Sequence, residues 1–337
     1  MKKTDLINNL ISVFWKTQYH PKPSEEFTHP DRPFVSNKLE NAYLNTIKGF
    51  KGELEFTKDA ARFLGTVDGG WFIPFAKSTN PLVNSLYLTI SDNQIESLVT
   101  IYEALAQSFP DKFLYVASVP ELSASTEINK SIYSIYRFNA LRNQFDNCSL
   151  EELLDHFSLK PEKKRLNVDD FNNLQEKNSD LYEESFHLLN SFQGSDLYKL
   201  LADRYLFDVI ISGTRFKGRS TDIDAIKVST NPTVINFLDI KNKTRNYKGK
   251  VGHNEDHLPF WIELHNSVKA NNPSIGVRTS YVLRDQDEND ESKIWKWTPM
   301  QLFMQKGDRV LGSPGRNAQD EVYTYMLSVE DHFRLLL

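Results

Sequence analysis

The chain has 337 residues, a formal net charge of −5, 39% apolar and 25% charged residues, the balance of an ordinary soluble globular protein with room for about two domains. That acidity excludes a protein that coats nucleic acid over its whole surface, so any such binding must be local. A single cysteine, Cys148, excludes an intramolecular disulfide framework and a cysteine-rich zinc site, and fits a reducing cytoplasm.

In chain order, Thr4 to Trp15 reads as a helix. Asp5, Asn8 and Asn9 interrupt any apolar run there, so neither a signal peptide nor a membrane span is expected. Residues 20–33 (HPKPSEEFTHPDRP) form a proline-rich loop, and 37–48 a second helix. From 49 to 90 the texture is short β-type runs with glycine punctuation, as in Gly69-Gly70 before Trp71-Phe72-Ile73. Residues 93–108 read as an amphipathic helix, 113–118 as a strand, and 123–140 as polar and then helical. Together these predict an α+β domain over residues 1–148.

A connector is expected over 149–180. It opens with Ser149 as an N-cap and Glu152 three residues on, the spacing of a capping box. It continues through a charged stretch containing Lys160, Lys163, Lys164 and Arg165. Residues 181–192 then read as a helix leading into a second domain, 181–337. Within it, Asp196 precedes a helix with apolar positions Leu197, Leu200, Leu201 and Tyr205, and 207–212 (FDVIIS) reads as a strand.

The stretch 213–250 organises the rest. Residues 220–228 (STDIDAIKV) and 233–241 (TVINFLDIK) are β-type runs around Asn231-Pro232, which predicts a hairpin. Alternation places Asp239 and Lys241 on one side of a strand with Ile240 on the other, and Asp222 and Asp224 on a shared face. The stretch holds nine Lys/Arg and three Asp, a net of +6 inside an acidic chain. Carboxylates suit a hard divalent cation, and the surrounding cations suit a polyanion. The plain alternative is a solvated hairpin with a surface ion pair.

The pattern Ile223-Asp224 followed by Asp239-Ile240-Lys241 resembles the PD-(D/E)xK nuclease superfamily, which includes restriction endonucleases and Holliday-junction resolvases; Ile223 stands where the usual proline would. The resemblance implies an α/β restriction-endonuclease-like αβββαβ core in the C-terminal half, beside the α+β N-terminal domain. The core's first helix and strand would be 197–207 and 207–212, followed by the hairpin, a helix over 256–269 with Pro259 in its first turn, and a strand over 274–283.

The resemblance further implies a Mg²⁺-dependent deoxyribonuclease, with Mn²⁺ as a substitute metal, acting in restriction or phage defence. A structure-selective repair nuclease or a non-catalytic nucleic-acid-binding protein remain as alternatives. Asp224, Asp239 and Asp196 would be the metal ligands and Lys241 the fourth catalytic residue, with Asp222 further out. Arg215, Lys217, Arg219, Lys243, Arg245 and Lys248 would contact DNA. A homodimer and a partner subunit on the N-terminal domain stay open, and a cytoplasmic location is expected.

Three other features point elsewhere. His253-Asn-Glu-Asp-His257 lacks HExxH spacing and reads as a loop entering a helix. The acidic run 285–292 (DQDENDES) lacks the glycine and terminal glutamate of a calcium loop, and no phosphate-binding P-loop is present. A strand is expected over 293–297, with Thr298 and Pro299 starting the next helix.

Overall fold

A computed structural model describes residues 2–18, 38–63, 68–75, 82–91, 95–119, 129–159, 179–211, 214–215, 221–230, 232–241, 249–285, 294–311 and 323–334. The elements are α1 (Lys3–Gln18), α2 (Lys38–Phe63), β1 (Asp68–Pro74), β2 (Ser85–Ser91), α3 (Val99–Ser108), β3 (Leu114–Ser118), β4 (Ser134–Asn139), β5 (Gln144–Cys148), α4 (Leu150–Leu154) and β6 (Ser158–Leu159). They continue with α5 (Ser179–Asn190), α6 (Gly194–Arg204), β7 (Thr214–Arg215), β8 (Thr221–Thr230), β9 (Thr233–Lys241), β10 (Lys250–Asn254), α7 (Leu258–Asn271), β11 (Gly276–Asp285), β12 (Ile294–Pro299), α8 (Gln301–Lys306), β13 (Asp308–Leu311), β14 (Tyr323–Ser328) and β15 (Phe333–Arg334).

Ten strands form one mixed sheet in the order β15-β12-β11-β9-β8-β1-β2-β3-β4-β5. The hairpin is as the sequence implies: β8 and β9 pair antiparallel from Thr230↔Thr233 to Ala225↔Leu238. A parallel partner, β11, lies on the far side of β9. Strand alternation explains how β1 serves two layers. Trp71 and Ile73 enter a core with α1, α5 and α6, while Phe72 enters a core with α3 and α7 on the opposite face. A third cluster packs Phe56 and Ala60 of α2 on Ala225, Leu238, Ile240 and Trp295. A smaller sheet, β10-β14-β13, carries His253.

Several expectations change. FDVIIS is no strand: residues Tyr205–Ile210 are π-helical, and Leu206, Phe207, Ile210 and Ile211 fill the core under α1. A short apolar run fits either conformation, and tertiary packing chose. The strand beside β8 is instead β1, from the N-terminal region. The main sheet therefore takes strands from both 1–148 and 181–337 and does not stop at the expected connector. The second helix runs on through Gly49 to Phe63 where strands were expected, and residues 134–139 form β4 where a helix was expected. Thr298 is buried in β12, with Met300 preceding α8. The Ser149 capping box is present, with Ser149 N donating to Glu152 at 2.7 Å and Glu152 N to Ser149 Oγ at 3.1 Å.

Candidate active site

At the end of the β8–β9 ladder the next pair of positions is Asp224 and Asp239, and there a side chain completes the pairing. Asp224 Oδ2 accepts the Ile240 backbone N–H at 2.5 Å. Lys241 Nζ stands 2.5 Å from Asp239 Oδ1 and 3.4 Å from Asp224 Oδ2. The sequence-predicted triad thus converges on one ammonium group.

Two further residues join it. Glu53 of α2 lines the same cavity as Asp224 and Asp222 and shares its electrostatics with Lys241 and Asp222. His253 of β10 is buried with its Nε2 3.0 Å from Asp239 Oδ2. Neither was read from the sequence as a site residue. The signal for Glu53 was an acid on the helix preceding a Gly-Gly strand. His253 stood in the motif whose zinc spacing failed.

The electrostatics follow from crowding carboxylates where water is scarce. Burial pushes Glu53 up to about 7, offset in part by Lys241 and reinforced by Asp222. Burial likewise drives Asp224 well above the carboxylate range, with Glu53, Asp239 and Asp222 adding repulsion against the pull of Lys241. Burial would raise Asp239 too, but Lys241 and the His253 hydrogen bond outweigh it and hold this carboxyl well below its usual value. Burial would lower Lys241, yet Asp224 and Asp239 keep it firmly protonated. Lys241 therefore stands as a resident cation between the two carboxylates.

The Gly69-Gly70 pair makes the crowding possible. β1 is bulged between Asp68 and Gly70 where it pairs with β8. A Cβ at Gly69 would fall 2.6 Å from the Ile223 carbonyl oxygen and closer still to that of Asp224. Only a residue without a side chain lets β1 approach β8 beside Asp224.

Asp196 lines the same cavity as Asp224 and Glu53 and has two partners of its own. It caps the start of α6, accepting the Gln193 N–H at 3.3 Å, and pairs with Lys58 of α2 at 2.6 Å. Asp222 stands exposed at the cavity rim. Of the expected DNA contacts, Arg215 lies on β7, paired with β6, while Lys217, Arg219, Lys243, Arg245 and Lys248 lie outside the described residues, as does most of the acidic run 285–292.

Among the described residues no three His, Cys, Asp or Glu side chains are grouped as a ready-made metal cage; between Asp224 and Asp239 the charge is met by Lys241. The donor chemistry nonetheless fits a hard divalent cation: Asp224, Asp239 and Glu53 offer only carboxylate oxygens, and two of the three are raised first by burial and then by neighbouring negative charge. Tyr281, paired in register with Asp239, also keeps a buried hydroxyl without a hydrogen-bond partner among the described residues. No family model matches the chain, and no curated protein or solved structure matches it. No described helix is long and apolar enough to cross a membrane.

Proposed function

We propose that this chain is a divalent-metal-dependent nuclease of the PD-(D/E)xK type, an endonuclease that hydrolyses DNA phosphodiester bonds in restriction or phage defence. The observation that carries the reading is the meeting of Asp224, Asp239 and Lys241 at the end of two neighbouring strands. Element order supports it. Leaving out the elements between β1 and β8 and the small-sheet strand β10, the chain order is α2, β1, β8, β9, α7 and β11, a helix, three strands, a helix and a strand, with β1-β8-β9-β11 consecutive in the sheet. In this reading α2 and β1 replace 197–212 as the first helix and strand. Residues 75–220 are an insertion, and Glu53 takes the helix-borne acidic role expected of Asp196.

Asp224, Asp239 and Glu53 would hold Mg²⁺ or Mn²⁺, which when bound supplies a Lewis acid and a water of lowered pKa. Lys241 keeps its proton and contributes fixed positive charge where a phosphate gains negative charge in the transition state. His253 fixes the direction of the Asp239 carboxylate. Strands β8 and β9 hold Asp224, Asp239 and Lys241 on rigid backbone, so little reorganisation is needed at the moment of reaction.

The test is a cleavage assay on plasmid, branched and single-stranded DNA and on RNA, with Mg²⁺, Mn²⁺ or EDTA, and with Asp239→Asn protein beside wild type. Metal-dependent cutting of DNA that Asp239→Asn abolishes supports the proposal. Discrete plasmid fragments fit restriction, and cutting confined to branched substrates points to repair instead. Nucleic-acid binding that is indifferent to metal, with no cutting, would leave a binding protein on this fold.

A further inference from the structure

Between α2 and α6 the described residues form a half-open cavity of about 170 Å³, lined by Gly69, Gly70 and Trp71 of β1 and by Thr89 and Ile90 of β2. Its lining includes Glu53 and Asp224, so it is continuous with the candidate active site. Phe50, Trp71 and Phe192 give it aromatic walls. The Arg204 guanidinium lies 4.7 Å from the Phe50 ring centre and 5.7 Å from that of Trp71. Arg204 bonds Asp203 at 3.0 Å, their side chains 12% and 20% exposed, so a charged donor and acceptor stand in a largely dry wall.

Three properties narrow the occupant. A cavity of roughly 150 Å³ accepts a benzene-sized ring, so a single ring fits within this one. Five carboxyl groups against two cations line it, which favours a neutral group that donates hydrogen bonds. Aromatic walls suit the π-face of a base, and a carboxylate suits the exocyclic amino group of cytosine.

We infer that the cavity receives one unpaired pyrimidine, cytosine ahead of thymine or uracil, turned out of the nucleic acid while its phosphate lies at Asp224 and Lys241. The inference rests on the nuclease reading for the phosphate and on the cavity alone for the base. It narrows the substrate to single strands, junctions, or duplexes from which a base is extruded, extrusion being easiest where pairing is already weak.

The test uses end-labelled oligonucleotides of mixed sequence with Mg²⁺, comparing wild type with Leu200→Trp, which fills the cavity, and Leu200→Ala, which widens it. Leu200 lines the cavity and is no part of the metal or lysine site. Wild type should cut at a fixed step from cytosine and lose on the order of tenfold when that cytosine becomes thymine or an abasic site. Leu200→Trp should treat the three alike, cutting the cytosine substrate no better than the abasic one, and Leu200→Ala should keep the preference.

Base-independent cutting by wild type, or a cytosine preference that survives in Leu200→Trp, overturns the inference and leaves the nuclease standing. Titration with free cytidine separates the other case. If no nucleic acid is cut, yet cytidine binds wild type and Leu200→Ala but not Leu200→Trp, the base site stands, its ligand is a free nucleoside, and the nuclease reading falls. No cutting and no cytidine binding removes both.

Discussion

His253 Nε2 lies 3.0 Å from Asp239 Oδ2, and its Nδ1 lies 3.0 Å from the Asn254 carbonyl oxygen. Two separate sheets meet through this contact: Asp239 lies two residues from the end of β9 of the large sheet, and His253 sits in β10 of the small one. An Nε2–H donated to the carboxylate fixes where Oδ2 points and leaves Oδ1 to face Lys241. Partners that aim a ligand in this way are worth roughly 10–100-fold in metal affinity or activity. His253→Ala is expected to lower cleavage by that factor and to raise the Mg²⁺ concentration giving half the maximal rate. His253→Gln, which keeps a donor, should lose less. Equal rates and equal Mg²⁺ dependence in all three proteins would sink the assignment.

Glu53 makes folding stability fall with rising pH. Its carboxyl titrates near 7 in the folded chain because of burial, against about 4.3 when unfolded. Between those values the folded state binds more protons, so stability declines as pH rises through the window. Glu53→Gln should match wild type near pH 4 and be the more stable protein above pH 7, by an amount on the order of 3 kcal/mol at most. Asp239 acts in the opposite sense. Its folded value is depressed, so its contribution is present above about 3.9 and lost as pH falls below that. Urea denaturation at several pH values reads both effects, and parallel curves for wild type and Glu53→Gln would contradict the first.

The hairpin was legible because β-branched runs, alternation and Asn-Pro turn chemistry all agree over residues 220–241. Glu53 and His253 were not, because each reaches the site through tertiary packing that no local pattern encodes. Glu53 is one of several acids in a charged helix. His253 stands among other polar residues whose spacing suggested only a failed metal motif. FDVIIS misled for a related reason: a short segment with four apolar residues of six is compatible with a buried strand or a buried helix, and the core beneath α1 needed a helix. Asp196 was read by its place before a helix, and a helix start is where an acid also serves as a cap.

Gly69→Ala tests how tightly β1 must approach β8. The new methyl would meet two backbone oxygens of β8, which cannot rotate away as a side chain could. The expected cost is about 1–3 kcal/mol of stability, as for overpacking elsewhere. Cleavage should fall as well, since the displaced strand carries Asp224. Calorimetry and the cleavage rate check both, and a Gly69→Ala protein as stable as wild type would remove the close approach as a constraint.

Asp196→Ala separates the two roles that an acid in this place can have. Its partners are the Gln193 N–H and the Lys58 ammonium, and Lys58 is about half exposed. Loss of a helix cap with a partly solvated ion pair costs about 1 kcal/mol. The Mg²⁺ dependence of cleavage should stay unchanged, because the carboxylate is already engaged by the Gln193 N–H and the Lys58 ammonium. A marked rise in the Mg²⁺ requirement would restore the role expected from the sequence.

Lys241 and a divalent cation answer the same excess of negative charge, and this yields the sharpest test of the site. The ammonium reaches both Asp224 and Asp239 and is about a third exposed. Without metal, Lys241→Ala leaves two buried carboxylates facing each other. It should be less stable than wild type by about 2 kcal/mol, below the figure for a fully buried pair. Mg²⁺ should then protect Lys241→Ala more than wild type, since the ion replaces the missing positive charge and stabilises the folded state by mass action. That extra protection should grow from pH 5 to pH 8 as Glu53 gives up its proton, and it should vanish in a Lys241→Ala, Asp224→Asn double variant. Cleavage by Lys241→Ala should be down by at least a hundredfold even at saturating Mg²⁺, because the fixed positive charge at the phosphate is gone. Thermal melts with and without Mg²⁺ measure the first part. Equal Mg²⁺ shifts for Lys241→Ala and the double variant would mean that the cation binds somewhere other than between these strands.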